Sequence, residues 1–207
     1  MLTLLGKSSS INVRKVLWTL TEIGVPFELE TWGSGFQSTD VPEFRAINPN
    51  AMVPVLKDGD FVLWESNTIC RYLASSHGRG DLLPVAPQQR ARVEQWMDWQ
   101  AGELNNAWRY AFMALVRHSP MHTDSAAIGN SIGSWNRHMG MLDAQLSKTG
   151  AYVAGPEFTL ADIVLGLSAN RWLMTPIARP SYPALSDYLE RLRRREGFRL
   201  HGANGTP

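Results

Sequence analysis

The chain is poor in the residues that would commit it to several kinds of chemistry. It has one cysteine, Cys70, among 207 residues, so no intrachain disulfide can form. Five scattered histidines and one thiol give no metal-ligand spacing, and no metal site is expected. Lys and Arg nearly balance Asp and Glu, leaving a formal charge of +1. That balance removes any general pull toward nucleic acid or an anionic membrane. No apolar run is long enough to span a bilayer. Gly-rich phosphate loops, dinucleotide fingerprints, internal repeats and low-complexity tracts are all missing. The opening Met1-Leu2-Thr3-Leu4-Leu5-Gly6-Lys7 lacks the length and flanks of a secretory signal, which predicts a cytoplasmic protein.

Hydrophobic residues, by contrast, make up 44% of the chain and charged residues 19%, enough for a real core. Eight tryptophans are many for this length. They either build a helical core or line a pocket.

Periodicity divides the chain into two halves. Leu2–Leu5 is a short apolar run stopped by Gly6 and a serine cluster, which predicts a buried strand. Val13, Val16, Leu17 and Leu20 form one helical stripe that Gly24 and Pro26 end. Phe27–Thr31 alternates as a strand does, residues 33–40 are loop, and a short helix over Val41–Ile47 stops at Asn48-Pro49. Val55-Leu56 and Phe61-Val62-Leu63 flank Lys57-Asp58-Gly59-Asp60, a hairpin signal. A helix from Glu65 to Ser76 ends near Gly78. The order β-α-β-α-β-β-α predicts a four-stranded α/β sheet. Gly78–Pro87 reads as a linker. Beyond it no strand is evident. Residues 88–117 suit one long helix and 125–146 a second, in which Gly129 and Gly133, four apart, could admit a close neighbour. A third surrounds Leu160, Ile163, Val164 and Leu167, and a fourth follows Pro183. Thr159-Leu160-Ala161-Asp162 has capping-box spacing, a structural motif. The basic run Arg191, Arg193, Arg194 and Arg195 is expected to be a solvated, dipole-compensating helix end.

The segment Asn48–Leu56 followed by Leu63–Ile69 carries most of the functional information. Pro54 can sit at a strand start because it has no N–H to give the ladder, which leaves the Val53 backbone free to pair elsewhere. Glu65-Ser66 puts a hydroxyl and unsatisfied N–H groups at a helix start, where an anion is welcome. Together they suit an extended peptide that carries a carboxylate. Ser8, Ser9 and Ser10 are N-cap candidates for the first helix. One of their hydroxyls could instead point at a ligand thiolate, which a helix N-terminus favours. Cys70 is not that thiol: it shares an apolar helical stripe with Ile69 and Leu73, so a reactive sulfur, if the chemistry uses one, must come from a cosubstrate.

These residues resemble the soluble glutathione transferases, near their bacterial theta-, beta- and nu-like members. The likeness rests on Ser10-Ile11-Asn12-Val13-Arg14-Lys15-Val16-Leu17-Trp18, Ile47-Asn48-Pro49-Asn50, Val53-Pro54-Val55-Leu56, Leu63-Trp64-Glu65-Ser66-Asn67-Thr68-Ile69, Arg71-Tyr72-Leu73 and Phe158-Thr159-Leu160-Ala161-Asp162-Ile163. It spans nearly the whole chain. The resemblance implies an α/β plus all-α fold. A thioredoxin-like domain (βαβαββα) would occupy residues 1–78, a linker 79–87, and a helical bundle domain 88–207. It implies a cis Pro54, with Val53 pairing to the cysteinyl part of glutathione as an added strand. Glu65 and Ser66 would take the γ-glutamyl end. Ser10 and Asn12 are joint candidates to hydrogen-bond the thiolate, with Ser9 third. Glutathione would be a cosubstrate, with no prosthetic group.

Two departures stand out. Ala51-Met52 replaces a pair that is often Gly-Lys or Gly-Arg in relatives, so Gln37 or Lys57 would have to serve the glycyl carboxylate. A beta-type cysteine is absent at position 10, so no mixed disulfide is expected there. Trp108, Tyr110, Phe112 and Trp172 are candidates for an apolar wall against a hydrophobic electrophile. The implied assembly is a homodimer, in which Glu103 could approach the neighbouring site. The implied reaction is conjugation of the glutathione thiolate to hydrophobic electrophiles. The alternatives are glutathione-dependent disulfide reduction or peroxidation, and a non-catalytic interaction protein of the same fold.

Overall fold

The computed structural model describes residues 1–207. Strand β1 (Leu2–Leu5), helix α1 (Ile11–Ile23), β2 (Phe27–Glu30), α2 (Pro42–Ile47), β3 (Val55–Asp58), β4 (Phe61–Trp64) and α3 (Ser66–Ser76) follow in the order read from the sequence. The sheet order is β2-β1-β3-β4, with β1 and β2 parallel and the other neighbours antiparallel. This is a thioredoxin-like α/β unit. Alternation along the strands decides which side each residue serves. Leu2, Leu4 and Leu56 enter the main core, while Leu5 and Val55 pack with Phe44 of α2 on the opposite face. β3 starts at Val55, one residue beyond Pro54. Gly24 ends α1 in the left-handed region at φ 77°, its N–H bonded to the Leu20 carbonyl, a conformation that glycine adopts without a Cβ penalty.

The second half is helical: α4 (Pro87–Trp99), a π turn (Gln100–Leu104), α5 (Asn105–Leu115), α6 (Ser125–Thr149), α7 (Leu160–Met174), α8 (Pro183–Arg193) and α9 (Glu196–His201). The single helix expected over 88–117 is thus two α segments joined by a π turn, and it ends at Leu115. α9 was not anticipated; it is short and packs on α1 through Gly197 and Phe198. The stretch between α3 and α4 is anchored. Leu82 and Leu83 are buried, and the Leu82 carbonyl accepts from the Leu160 N–H at 3.0 Å.

Two expectations change. Gly129 and Gly133 do not admit a neighbouring helix: a Cβ at Gly129 would meet nothing, and one at Gly133 only Arg137 of its own helix. The close approach of α5 and α6 is made by small residues elsewhere. The Ser131 hydroxyl donates to the Ala107 carbonyl at 2.7 Å and accepts the Ala111 N–H at 3.1 Å. The basic run is not simply a solvated end either. Arg195 grips the Glu22 carboxylate of α1 at 2.6 and 3.0 Å and covers the Phe158 ring at 3.7 Å. A cation–carboxylate pair with two parallel bonds is worth more than dipole compensation at a frayed terminus.

α1 joins the halves. Every residue from Val13 to Leu20 is buried. Trp18 lies against Phe158 and Phe198, with ring centroids at 5.8 and 5.3 Å, and donates to Glu22 at 2.8 Å. The Lys15 ammonium is held by Asn67 Oδ1 at 3.1 Å and Gln100 Oε1 at 2.7 Å. Asn67 in turn donates to the Met97 carbonyl, and Gln100 to Asn105 Oδ1 and the Ser168 hydroxyl. The wide π turn carries Gln100 into this position. Desolvation brings Lys15 down to about 8.

At the start of α7, the Asp162 carboxylate accepts from the N–H groups of Thr159 and Val153 at 2.8 and 2.9 Å and from the Thr159 hydroxyl at 3.1 Å. The reaching-back half of the capping box is therefore as read. Asp162→Ala leaves two buried N–H groups without acceptors, each costing about 1–3 kcal/mol. Chemical denaturation should show a loss of about 2–4 kcal/mol. A change below about 0.5 kcal/mol would refute the structural role.

Lys15 gives a pH test. Its ordinary value is 10.5 and its folded value about 8, so between these the unfolded chain binds more protons and stability rises with pH. The wild-type protein should therefore gain on Lys15→Met by roughly 1–2 kcal/mol between about pH 7.5 and about pH 9.5. A difference that is flat or falls with pH would contradict the buried-cation account.

Candidate functional site

The residues singled out in the sequence lie at the ends of three loops on one edge of the α/β unit. A cleft of about 290 Å³ is lined by Asn12 from the first turn of α1, by Asn48, Asn50, Met52, Val53 and Pro54 between α2 and β3, and by Glu65 and Ser66 at the start of α3. Asn12, Val53, Pro54, Glu65 and Ser66 thus share one space. Ser10 does not line it. Ser10 is the N-cap of α1, half-buried, and its side chain makes no capping bond, which leaves its hydroxyl available. Ser8 and Ser9 are exposed.

The loop before β3 is shaped by Asn48, a residue not singled out for this role. It is buried; its Nδ2 donates to the Met52 carbonyl at 2.7 Å, and its Oδ1 accepts from the Asn50 N–H at 3.1 Å. These bonds fold the chain back so that the cis Val53-Pro54 bond faces the cleft. Val53 gives neither its N–H nor its carbonyl to another part of the chain. Such a backbone can pair with an extended ligand as an edge strand does.

Glu65 stands at φ 74°, ψ 108°, a conformation that costs a non-glycine residue about 1–3 kcal/mol and recurs where ligands are held. It puts Ser66 at the first position of α3, buried at 5% exposure, beside N–H groups that have no intrahelical partner. No side chain caps this helix start, so its partial positive charge is free for a carboxylate. Asn67, next in sequence, is the residue that Lys15 holds. The cation therefore steadies the turn that presents Ser66.

Met52 lines the cleft and is exposed. Neither residue expected to replace a cation there does so: Gln37 is exposed and bonds the Thr31 carbonyl, and Lys57 lies within β3 opposite Thr3 and Val62. Cys70 is fully buried and desolvation pushes its thiol up to about 11, so it is inert.

Of the four aromatic candidates, Phe112 and Trp172 are buried and Trp108 and Tyr110 half-buried. Trp172 serves helix packing: it donates to Asn136 at 2.8 Å and lies 5.8 Å from the Tyr182 ring. Tyr110 packs on His122. Trp108 and Phe112 meet edge to face at 5.3 Å, and the Arg171 guanidinium covers both. A larger cavity, about 470 Å³, lies between the stretch before α4 and the loop before α7 and holds none of these residues. Its size alone does not make it the better candidate. Sequence reasoning missed Lys15, Gln100, Arg14 and Arg171. The signal that could have found them was polar residues set inside otherwise apolar helices.

Comparison with known proteins bears on both halves. Residues 1–75 match the glutathione S-transferase N-terminal domain and residues 105–196 its C-terminal domain. The chain is 42% identical over 167 residues to glutathione S-transferase GstB of Escherichia coli K12, covering 80% of each. It is 32% identical to glutathione S-transferase 1 of Manduca sexta, over 79% of this chain and 74% of that one. Among solved structures, it resembles the theta-class glutathione S-transferase of Xanthomonas axonopodis pv. citri with glutathione bound. The TM-score is 0.90 at 37% identity, over 97% of this chain and 96% of that one. With both domains matched and the fold shared end to end, this chain belongs to the glutathione S-transferase family.

Proposed function

We propose that the protein conjugates glutathione to hydrophobic electrophiles, with the Asn12–Val53–Ser66 cleft as the glutathione site. The observation that carries this reading is the coincidence of an unpaired Val53 backbone and an uncapped α3 start in one cleft. An extended γ-glutamyl tripeptide has the complementary parts. Its cysteinyl main chain pairs with Val53, and its γ-glutamyl carboxylate meets Ser66 and the α3 N–H groups. Glu65 faces its ammonium. With Met52 in the cleft, the glycyl carboxylate has no lysine or arginine there and relies on Asn48, Asn50 and solvent.

The thiol, with a pKa of about 8.5 when free, loses its proton to solvent. The Ser10 hydroxyl or the Asn12 amide donates to the resulting thiolate. Sulfur then attacks an electrophilic carbon; a C–S bond forms and the leaving group departs with the electron pair of its broken bond. The protein supplies position and charge stabilisation. We propose a homodimer as the working form, with the exposed Phe61 and Trp64 of edge strand β4 contributing apolar surface to the interface. No helix is long and apolar enough to cross a membrane.

Titration calorimetry should find saturable glutathione binding that Ser66→Ala weakens about tenfold or more, the worth of a hydrogen bond to a charged group. Unchanged affinity would move the γ-glutamyl end elsewhere. Ser10→Ala should lower kcat with a chloronitroarene by about one to two orders of magnitude, with glutathione affinity nearly kept. If Asn12→Ala alone does this, Asn12 is the thiolate donor. If neither slows the reaction while a model disulfide is reduced briskly, the disulfide-reductase reading gains.

A further inference from the structure

Glutathione brings more negative charge than the cleft answers. At neutral pH it carries one ammonium and two carboxylates, and a third negative charge once its thiol is ionised. Glu65 is the one ionisable side chain among the 8 residues that line the cleft. It faces the ammonium, and Ser66 with the start of α3 takes the γ-glutamyl carboxylate. The glycyl carboxylate is the group left over.

The wall that would meet it is Asn48, Asn50 and Met52. Asn48 spends its amide on the loop: Nδ2 donates to the Met52 carbonyl at 2.7 Å, and Oδ1 accepts from the N–H and the Nδ2 of Asn50 at 3.1 and 3.2 Å. With its amide nitrogen turned to Asn48, Asn50 keeps Oδ1 as an acceptor that has no partner in the chain. Met52, exposed at 63%, adds a thioether. Basic residues of the neighbouring segments are committed elsewhere. Lys7 Nζ donates to the Ser34 carbonyl at 2.8 Å, and Arg45 is held by Asp40 at 2.8 Å and reaches the Pro49 carbonyl at 3.3 Å. Neither lines the cleft, and Lys57 belongs to β3.

A free acceptor beside a thioether suits a group that donates hydrogen bonds and carries no negative charge. We propose that the protein uses γ-glutamylcysteinyl thiols with an uncharged C-terminus at least as well as glutathione itself, glutathione glycyl amide being the simplest, and that Met52 sets this choice. The inference rests on the reading of the cleft as the glutathione site and names which thiols of that class it takes. The amide N–H donates to Asn50 Oδ1, and the glycyl methylene lies on Met52. The amide also removes an anion from the neighbourhood of the sulfur, where a like charge disfavours the thiolate. The reaction is unchanged: sulfur forms the C–S bond and the leaving group departs with its electron pair.

Calorimetry on the full chain at neutral pH, with glutathione and its glycyl amide titrated in parallel, tests the proposal. The amide should bind as tightly as glutathione or up to about threefold more tightly, since no ion pair is lost with the carboxylate. Met52→Lys, a change at an exposed side chain, should shift the preference toward glutathione by about threefold or more, the worth of an ion pair at an exposed site. With a chloronitroarene, chloride leaving, kcat/KM for the two thiols should agree within about threefold in the unchanged protein and favour glutathione in the Met52→Lys protein. Glutathione bound about fivefold or more tightly than the amide by the unchanged protein overturns the proposal. So does a Met52→Lys protein in which the ratio does not move. The two readings fail differently: if neither thiol binds, the glutathione site falls as well, and if glutathione binds well and the amide poorly, only the C-terminal preference falls.

Discussion

The burial of α1 is the constraint on which the rest of the structure depends. From Val13 to Leu20 the helix has no solvent face, because α3, α7 and α9 pack on it and Leu2, Leu4 and Leu56 of the sheet share its apolar cluster. An amphipathic helix of a small α/β unit would keep its polar face in water. Here that face is covered by the helical half, so the polar groups on it must find partners inside the protein. Lys15 finds two amide oxygens and Trp18 finds Glu22. Every one of these bonds either crosses between the halves or is locked by one that does, as Arg195 locks Glu22. The two halves thus form a single core, with Leu4 of β1 and Leu167 of α7 in the same apolar cluster.

That sharing explains how a thin four-stranded sheet can hold a strained cleft. The positive φ of Glu65 would relax if α3 could shift, but Asn67, two residues on, is bonded to Lys15 and to Met97 of α4. The helical half therefore fixes the start of α3, and with it Ser66. Asn48 performs the matching task on the other wall, folding its loop through two short bonds. The cleft is stiff where a ligand would need donors and open where it would need main chain.

The sequence was legible where a local rule had one outcome. Strand alternation, the Gly24 stop, the hairpin at Lys57–Asp60 and the Thr159–Asp162 cap each depend on a few adjacent residues, and each appears where it was read. Failures came where the deciding partner is distant. Gly129 and Gly133 suggested a helix crossing, but the crossing uses Ala107, Ala111 and Ser131, where the Ser131 hydroxyl bonds the main-chain carbonyl of Ala107 and N–H of Ala111 across it. Arg195 was read as a helix-end charge because Glu22, its partner, lies 173 residues away. The π turn could not be foreseen from spacing, since Val93, Trp96, Gln100, Leu104 and Ala107 fit one α-helical face; only the ammonium of Lys15 shows why Gln100 must turn inward. Of the site, the residues carried by local motifs fall together in the cleft, while Ser10 stands just outside it.

Lys15 and Arg14 are adjacent in sequence and both buried, yet they are not equivalent. The acceptors of Lys15 are side-chain amides that are themselves bonded, to Met97, Asn105 and Ser168. That network is closed; replacing any member leaves another unsatisfied, which is the signature of a structural device. The acceptors of Arg14 are mainly main-chain oxygens of one terminal segment, and two guanidinium nitrogens nearby have none. One helix thus carries a cation closed into a side-chain network and, next to it, a cation that fastens the segment after α9.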